Sequence, residues 1–364
     1  MNVYSALKAA WHHESLEAMR QGRVVIPRQV QLILSDLCNH DCVFCAYRIS
    51  EGFSSEQFGE DTGKGFTMNP NRRISTAKAL EIVQDLAAVG VPAVQFTGGG
   101  EPTVHPDHLS IFRSALDQGL EVALVSNGSK LASGWQEVLP RMSWIRISID
   151  AGSAATYSVV RRVPKTAFGK TLKNLETLAR EIKWQQSNCA LGCSFIVTNE
   201  NYQEIVEAAQ IVKEAGAKHL RIAACYTTKG TEYYRLPLER YQEEIARAQA
   251  CHQDPTFEVV NMFASRAEDL LAQSPDFSRC GYQQLNVYIA GNLRIYRCCT
   301  TSYTPHGEVG DLRARSFKDW LLSADSLRLY QEFDAHTCRS CPFAEKNRVI
   351  NYMLDDRPTH INFV

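Results

Sequence analysis

Cys38-Asn39-His40-Asp41-Cys42-Val43-Phe44-Cys45 is the stretch on which the fold and the chemistry turn. It follows an apolar run, Val30-Gln31-Leu32-Ile33-Leu34, that reads as a buried strand leading into a loop. Three cysteines with three and two residues between them meet in one small volume when such a loop curls its side chains inward. Thiolates are the usual ligands of iron–sulfur clusters, normally four to a cubane. Three close ligands with no fourth nearby point to a [4Fe–4S] cluster on Cys38, Cys42 and Cys45, with one iron left open. Zinc is the alternative, since a structural zinc site wants a fourth protein ligand and His40 is at hand. His40 lies inside the loop between two of the cysteines, which makes simultaneous ligation awkward, so the spacing favours the cluster.

Outward from this loop, 364 residues leave room for one large domain and a smaller one. A net charge of -1 argues against a protein that coats nucleic-acid phosphates, which would show a basic face. It leaves a nucleotide or a short RNA open as substrate. No apolar run approaches the roughly 18 residues of a membrane span, and Met1–Arg20 has no signal-peptide core. The expected location is the cytoplasm. Twelve cysteines there call for a role other than disulfides, because the reducing cytosol keeps thiols free. Cys189, Cys193, Cys225 and Cys251 are scattered and read as structural thiols; the others fall into an N-terminal and a C-terminal set.

Residues 4–20 have helical apolar spacing and are expected to cover an end or edge of the main domain. Ser50–Arg73, rich in Gly, Ser, Asn and charge, reads as a long loop. From Ser75, a helix-capping residue, strands and helices alternate. Strands are expected at Ala93–Thr97, Glu121–Ser126, Trp144–Ile149, Gly192–Thr198 and Leu220–Ala224. Helices are expected over Ser75–Gly90, Leu109–Ala115, Lys170–Ile182 and Glu204–Ala215. This alternation predicts an α/β fold, a parallel sheet or partial (β/α)6 barrel, in which chemistry collects at the C-terminal ends of the strands. Residues 235–275 read as mainly helical. Gln284–Ile289 and Leu293–Tyr296 then read as a β-hairpin about Gly291-Asn292, followed by a helix at Ser316–Leu322.

At the end of the second strand stands Thr97-Gly98-Gly99-Gly100-Glu101-Pro102. Glycines let backbone approach a ligand closely, and the adjacent carboxylate can receive an ammonium group. Cys-x3-Cys-x2-Cys after the first strand and Gly-Gly-Glu after the second resemble the radical S-adenosylmethionine enzymes. The resemblance covers roughly residues 28–225. It implies that the open iron chelates the amino and carboxylate groups of S-adenosylmethionine. One-electron reduction then yields methionine and a 5′-deoxyadenosyl radical, which takes a hydrogen atom from substrate. It also implies that Phe44 lies against adenine and that Gly99, Gly100 and Glu101 meet the methionyl amine. Ser126 and Asn127 end the third strand, where polar groups of the ligand fall; Ser148 and Asp150 end the fourth, near the ribose. In Tyr157-Ser158-Val159-Val160-Arg161 the arginine matches one that pairs with the methionyl carboxylate, with Arg162 as competitor.

The C-terminal cysteines, Cys280, Cys298-Cys299 and Cys338-Arg339-Ser340-Cys341, are similar to the SPASM or shortened twitch extensions of this family. These carry auxiliary clusters. The full version has seven cysteines and two clusters; with five here, the resemblance implies one auxiliary [4Fe–4S] cluster on Cys280, Cys298, Cys338 and Cys341. Cys298 is preferred to Cys299, although the distance from Gly291 departs from the usual pattern. Read from spacing alone, a Cys-x-x-Cys with two distant cysteines suits zinc equally. The expected organisation is an N-terminal helical segment 1–28, a partial barrel 29–235, a helical connector 236–275, a β-hairpin/helix auxiliary-cluster domain 276–347 and a tail 348–364.

The expected activity is radical oxidation or rearrangement of a small molecule, sugar or nucleotide, with electrons from a flavodoxin or ferredoxin and no membrane partner. The roughly 28 residues before the first strand are too few for the recognition domain that peptide-modifying relatives often carry. Modification of a peptide or nucleic acid is the alternative within the family. A non-catalytic protein with two zinc sites is the alternative outside it.

Overall fold

The computed structural model describes residues 4–48, 72–272 and 274–355. The long loop expected over Ser50–Arg73 lies almost wholly outside the described residues. Near the N-terminus a 3-10 turn, Ala6–Trp11, leads into helix α1 (His13–Arg20). Seven strands follow: β1 (Gln29–Leu32), β2 (Ala93–Phe96), β3 (Glu121–Ser126), β4 (Trp144–Ser148), β5 (Ala190–Val197), β6 (His219–Ala224) and β7 (Glu258–Asn261). Each pairs in parallel with the next. Between them run α2 (Thr76–Ala88), α3 (His108–Asp117), α4 (Ala154–Arg161), α5 (Thr166–Trp184), α6 (Ile205–Glu214) and α7 (Leu238–His252). Helix α8 (Phe263–Leu271) follows β7.

The strands alternate because one face packs under the helices. Val30, Leu32, Val94, Phe96, Ile145 and Ile147 all belong to the main core. Over β1 and β2 the opposite face carries glutamines. Gln29 Nε2 donates to Gln95 Oε1 at 2.7 Å, and Gln31 Nε2 to Asn286 Oδ1 at 3.4 Å. Strand alternation puts Arg146 and Ser148 of β4 on that same face. The mostly parallel sheet with outer helices is the expected partial-barrel architecture. Tyr4 lies at the N-terminal end of β6, its hydroxyl 3.1 Å from His219 Nε2 and its ring under Arg221.

Three features differ from the reading by sequence. The segment read as a helical connector contributes β7, which extends the parallel run beyond β6. Its two flanking helices dominate the local pattern, and four residues are too few for alternation to stand out. The hairpin, β8 (Asn286–Ile289) and β9 (Arg294–Tyr296), is continuous with the barrel: β8 pairs in parallel with β1, and β10 (Glu308–Asp311) adds to β9. All ten strands form one sheet. The C-terminal helices are α9 (Tyr282–Leu285), α10 (Phe317–Leu321), α11 (Ala324–Gln331) and α12 (Ala344–Leu354). Helix α12 runs across the boundary drawn at 347/348. Its Ile350 is buried with Ala9, Leu16 and Leu285 in a second small core that ties the two ends of the chain together. Among the described residues no helix is long and apolar enough to cross a membrane.

Candidate active site

The cysteine loop leaves β1 and is clamped from two sides through its backbone. On one side Gly100 N–H donates to Ser35 O at 3.1 Å and Glu101 N–H to Leu37 O at 2.8 Å. A Cβ on Gly100 would lie 2.0 Å from Leu37 O, so the glycine run serves the close approach of two chain segments. On the other side the last carbonyls of α4 receive the loop: Asp41 N–H donates to Arg161 O at 3.2 Å and Val43 N–H to Val160 O at 3.0 Å. Helix ends leave such carbonyls without intrahelical partners, and here the loop supplies them. Asn39 adds a side-chain tie, accepting from Asn127 Nδ2 and donating to Ser129 Oγ, each at 2.8 Å.

Two thiols of this loop, those of Cys38 and Cys45, are held well above the ordinary range. Burial pushes the Cys38 thiol up to about 12 and the Cys45 thiol to about 11, and the charge of Cys42 adds to both. Such thiols stay protonated until a cation is bound, which inverts the local preference. Among the described residues no three His, Cys, Asp or Glu side chains gather closely enough for a single metal ion. The thiolates of a cubane bind different irons, so a cluster does not require three ligands about one ion. His40, the candidate fourth zinc ligand, is buried with its ring edge-on to Tyr157. Burial and the charge of Arg161 lower its pKa to about 4.

Glu101 is a buried junction. Its Oε1 accepts from Thr103 N–H, Thr103 Oγ1 and Ser126 Oγ, and its Oε2 from Asn127 N–H at 2.7 Å. Burial raises its pKa while these four donors favour the ionised form. A carboxylate has about four acceptor positions, two on each oxygen, so the spare capacity for an ammonium group is on Oε2. Ser126 also accepts from Gly128 N–H, and Asn127 Oδ1 from Ser129 N–H. Both residues therefore brace the end of β3. Ser148 Oγ is 3.4 Å from Ser194 Oγ.

Asp150 and Arg161 are brought together by the fold. Asp150, expected at a ribose, accepts from Ile196 N–H at 2.6 Å and forms a buried ion pair with Arg161. Arg161 uses Nη2 for Asp150 and donates through Nη1 to Cys42 Sγ at 3.3 Å. Its guanidinium lies over the Phe44 ring at 5.5 Å and the Tyr157 ring at 5.9 Å. Arg162 is exposed and pairs with Asp41. Glu204 was not singled out by sequence. It accepts from Gly152 N–H, Ser153 N–H, Ser153 Oγ and Thr156 Oγ1, and so fixes the start of the helix that carries Tyr157 and Arg161. Its partners lie about fifty positions away, and no motif marks it.

At the C-terminal set, Cys280, Cys298, Cys338 and Cys341 line one small cavity with Arg297 and Asn347. Asn347 Nδ2 is 3.6 Å from Cys280 Sγ and 3.9 Å from Cys341 Sγ. Thr300 Oγ1 is 3.1 Å from Cys298 Sγ. A cavity walled by four thiols with polar groups on the sulfurs has the donor set of a cluster site. Cys299 faces elsewhere, packing with Tyr47 against Tyr288, Tyr296 and Tyr303. In that cluster the hydroxyls of Tyr47 and Tyr288 are 2.9 Å apart, and Tyr303 donates to Asp36. Cys189, Cys193 and Cys225 are buried and Cys251 is exposed.

Residues 32–212 match the radical SAM superfamily. The chain belongs to that superfamily. The chain is 28% identical over 193 residues to an AdoMet-dependent heme synthase of Methanosarcina barkeri, a match covering 52% of this chain and 48% of that one. Over 142 residues it is 30% identical to an S-adenosylmethionine-dependent nucleotide dehydratase of Flammeovirga pacifica, covering 39% and 44%. The matches thus span less than half the length of either relative. Its fold is similar to that of Streptococcus suis SuiB bound to precursor peptide SuiA, with a TM-score of 0.61 and 15% identity over 95% of this chain and 76% of that one. At that identity the likeness is one of fold.

Proposed function

We propose that the radical SAM enzyme holds its [4Fe–4S] cluster on Cys38, Cys42 and Cys45 and S-adenosylmethionine beside it, and that it abstracts a hydrogen atom from a small molecule, sugar or nucleotide. The carrying observation is the cysteine loop clamped between the Gly100–Glu101 backbone and the carbonyl end of α4. When bound, the cluster supplies one electron to S-adenosylmethionine, which cleaves to methionine and a 5′-deoxyadenosyl radical. The chain's own part is to orient and enclose. Gly99 and Gly100 bring backbone close to the amine, and Glu101 Oε2 offers it an acceptor. Phe44 presents an aromatic surface for adenine. The hydroxyl of Ser148 suits a ribose, and Ser126 and Asn127 keep Glu101 and the cysteine loop in register.

The inner face over β1 and β2, with Gln29, Gln31 and Gln95, suits a hydrogen-bonding substrate. The names of the heme synthase and nucleotide dehydratase relatives support a small molecule. A peptide is the second reading, favoured by a fold likeness to peptide-bound SuiB that runs over 95% of this chain. An auxiliary [4Fe–4S] cluster on Cys280, Cys298, Cys338 and Cys341 would have all four irons ligated by protein, which suits electron transfer or bracing of the fold and leaves no position for substrate. A flavodoxin or ferredoxin would supply the electrons, and the enzyme would work in the cytoplasm.

Iron and sulfide content after anaerobic reconstitution, with a chromatographic assay for 5′-deoxyadenosine under reducing conditions, tests this reading. About eight irons per chain together with the nucleoside are expected for two cubanes. About four irons with the nucleoside would remove the auxiliary cluster, and no iron would overturn the proposal.

A further inference from the structure

We infer that Arg297 is the built-in counter-cation of the C-terminal thiol site and raises the reduction potential of the cluster bound there. This rests on the reading of Cys280, Cys298, Cys338 and Cys341 as cluster ligands.

Arg297 follows β9, stands immediately before Cys298 and lines the same small cavity as the four thiols. It is 7% exposed. Nη1 donates to two neutral acceptors, Gln283 Oε1 at 2.6 Å and Leu329 O at 2.9 Å. The Phe333 ring covers the guanidinium, its centroid 4.0 Å from Cζ. Nε is buried and has no hydrogen-bond partner. Nearby arginines on the same side of the molecule have carboxylates, Arg294 with Glu308 and Arg313 with Asp311. Arg297 has no such ion pair among the described residues. The acidic groups close enough to act on it are the Tyr330 hydroxyl and the thiols of Cys280, Cys338 and Cys298.

A buried charge without a counter-charge is costly. The Phe333 face offsets part of that cost. So does the carbonyl end of α11, because Leu329 lies in the last turn of that helix. Neither carries a full negative charge. The thiols do so once a metal holds them as thiolates: a cubane on four thiolates is anionic, and reduction adds one more negative charge. A fixed cation at its side favours the reduced form, and charge around a cluster is a recognised control of its potential. Arginine suits the place because it stays charged when buried, whereas a lysine sheds its proton readily. The same charge works against the metal-free chain, in which neutral thiols leave the guanidinium uncompensated.

The test is a redox titration of the reconstituted full chain followed by electron paramagnetic resonance. Cys38, Cys42 and Cys45 are replaced by Ala in this background, so that the C-terminal cluster alone gives the signal. About four irons per chain are expected there; zinc in place of iron would end the auxiliary-cluster reading and this inference with it. Two variants then cancel the charge in different ways. Arg297→Gln deletes it, and Gln283→Glu sets a carboxylate where Oε1 now accepts from Nη1. Each should make one-electron reduction of the cluster at least tenfold less favourable, a fall of about 59 mV. A residue that only braces α11 would leave the potential where it was. In the metal-free chain Gln283→Glu should raise the Tm, because the guanidinium gains its counter-charge, and this readout stands even if a variant holds no iron. An unchanged potential in the iron-loaded variants, or a lower Tm for metal-free Gln283→Glu, would overturn the inference.

Discussion

The N-terminal cysteines sit on eight consecutive residues, whereas Cys280, Cys298, Cys338 and Cys341 come from before α9, after β9 and after α11. The first set is positioned by its own backbone, hydrogen-bonded to the end of β2 and to the last carbonyls of α4. The second is positioned only when three distant segments pack together, with Asn347 of α12 bridging two of the sulfurs. The arginines differ in the same way. Arg161 reaches a thiol directly, while Arg297 donates to Gln283 Oε1 and the Leu329 carbonyl and lies 4.0 Å from the Phe333 ring centroid. A metal in the first site rests on a loop already in place. In the second it would tie separate parts of the chain together, so its binding free energy would also be folding free energy.

The largest effect should come from replacing Cys38, Cys42 and Cys45 together by Ala. Formation of 5′-deoxyadenosine should be abolished and about four irons per chain lost, while the Tm barely moves. A large fall in Tm would show that the loop depends on its metal and break the contrast. Replacing Cys338 and Cys341 should remove about four irons as well, but here the Tm should drop, by about 2–4 °C for each kcal/mol lost. Zinc released with no change in iron would retire the auxiliary cluster. The smallest effect should separate two neighbours. Cys298→Ala should lose the iron of the C-terminal site, and Cys299→Ala should keep it, because Cys299 packs among tyrosines instead of lining the cavity.

The same contrast explains what could be read from sequence. The cysteine loop and the Gly98–Glu101 turn are local, so their residue types and spacing announce them. The first six strands lie within about two residues of their expected places, because alternation under helices leaves a regular pattern. Long-range partnerships leave no such trace. That Asp150 holds Arg161 depends on the arrival of β5 at Ile196, and Glu204 fixes α4 from the far side of β5. The hairpin was legible from Gly291-Asn292, but its pairing with β1 was not, since a short apolar strand accepts any neighbour. Helix α12 is hard to read from sequence because the polar Asn347 stands in the middle of its buried face, between Ala344 and Ile350.

The pairing of β8 with β1 has a consequence for any attempt to dissect the molecule. A chain ending before residue 276 would strip the neighbour from Gln29–Leu32, the strand that feeds the cysteine loop. Its row of amide and carbonyl groups would then stand open as a template for aggregation. The barrel and its C-terminal extension are thus joined by a seam of backbone hydrogen bonds and are poor candidates for cutting apart or exchanging with another protein. Had such an extension been acquired or shed in the course of descent, the edge of β1 would have had to be re-covered at the same time.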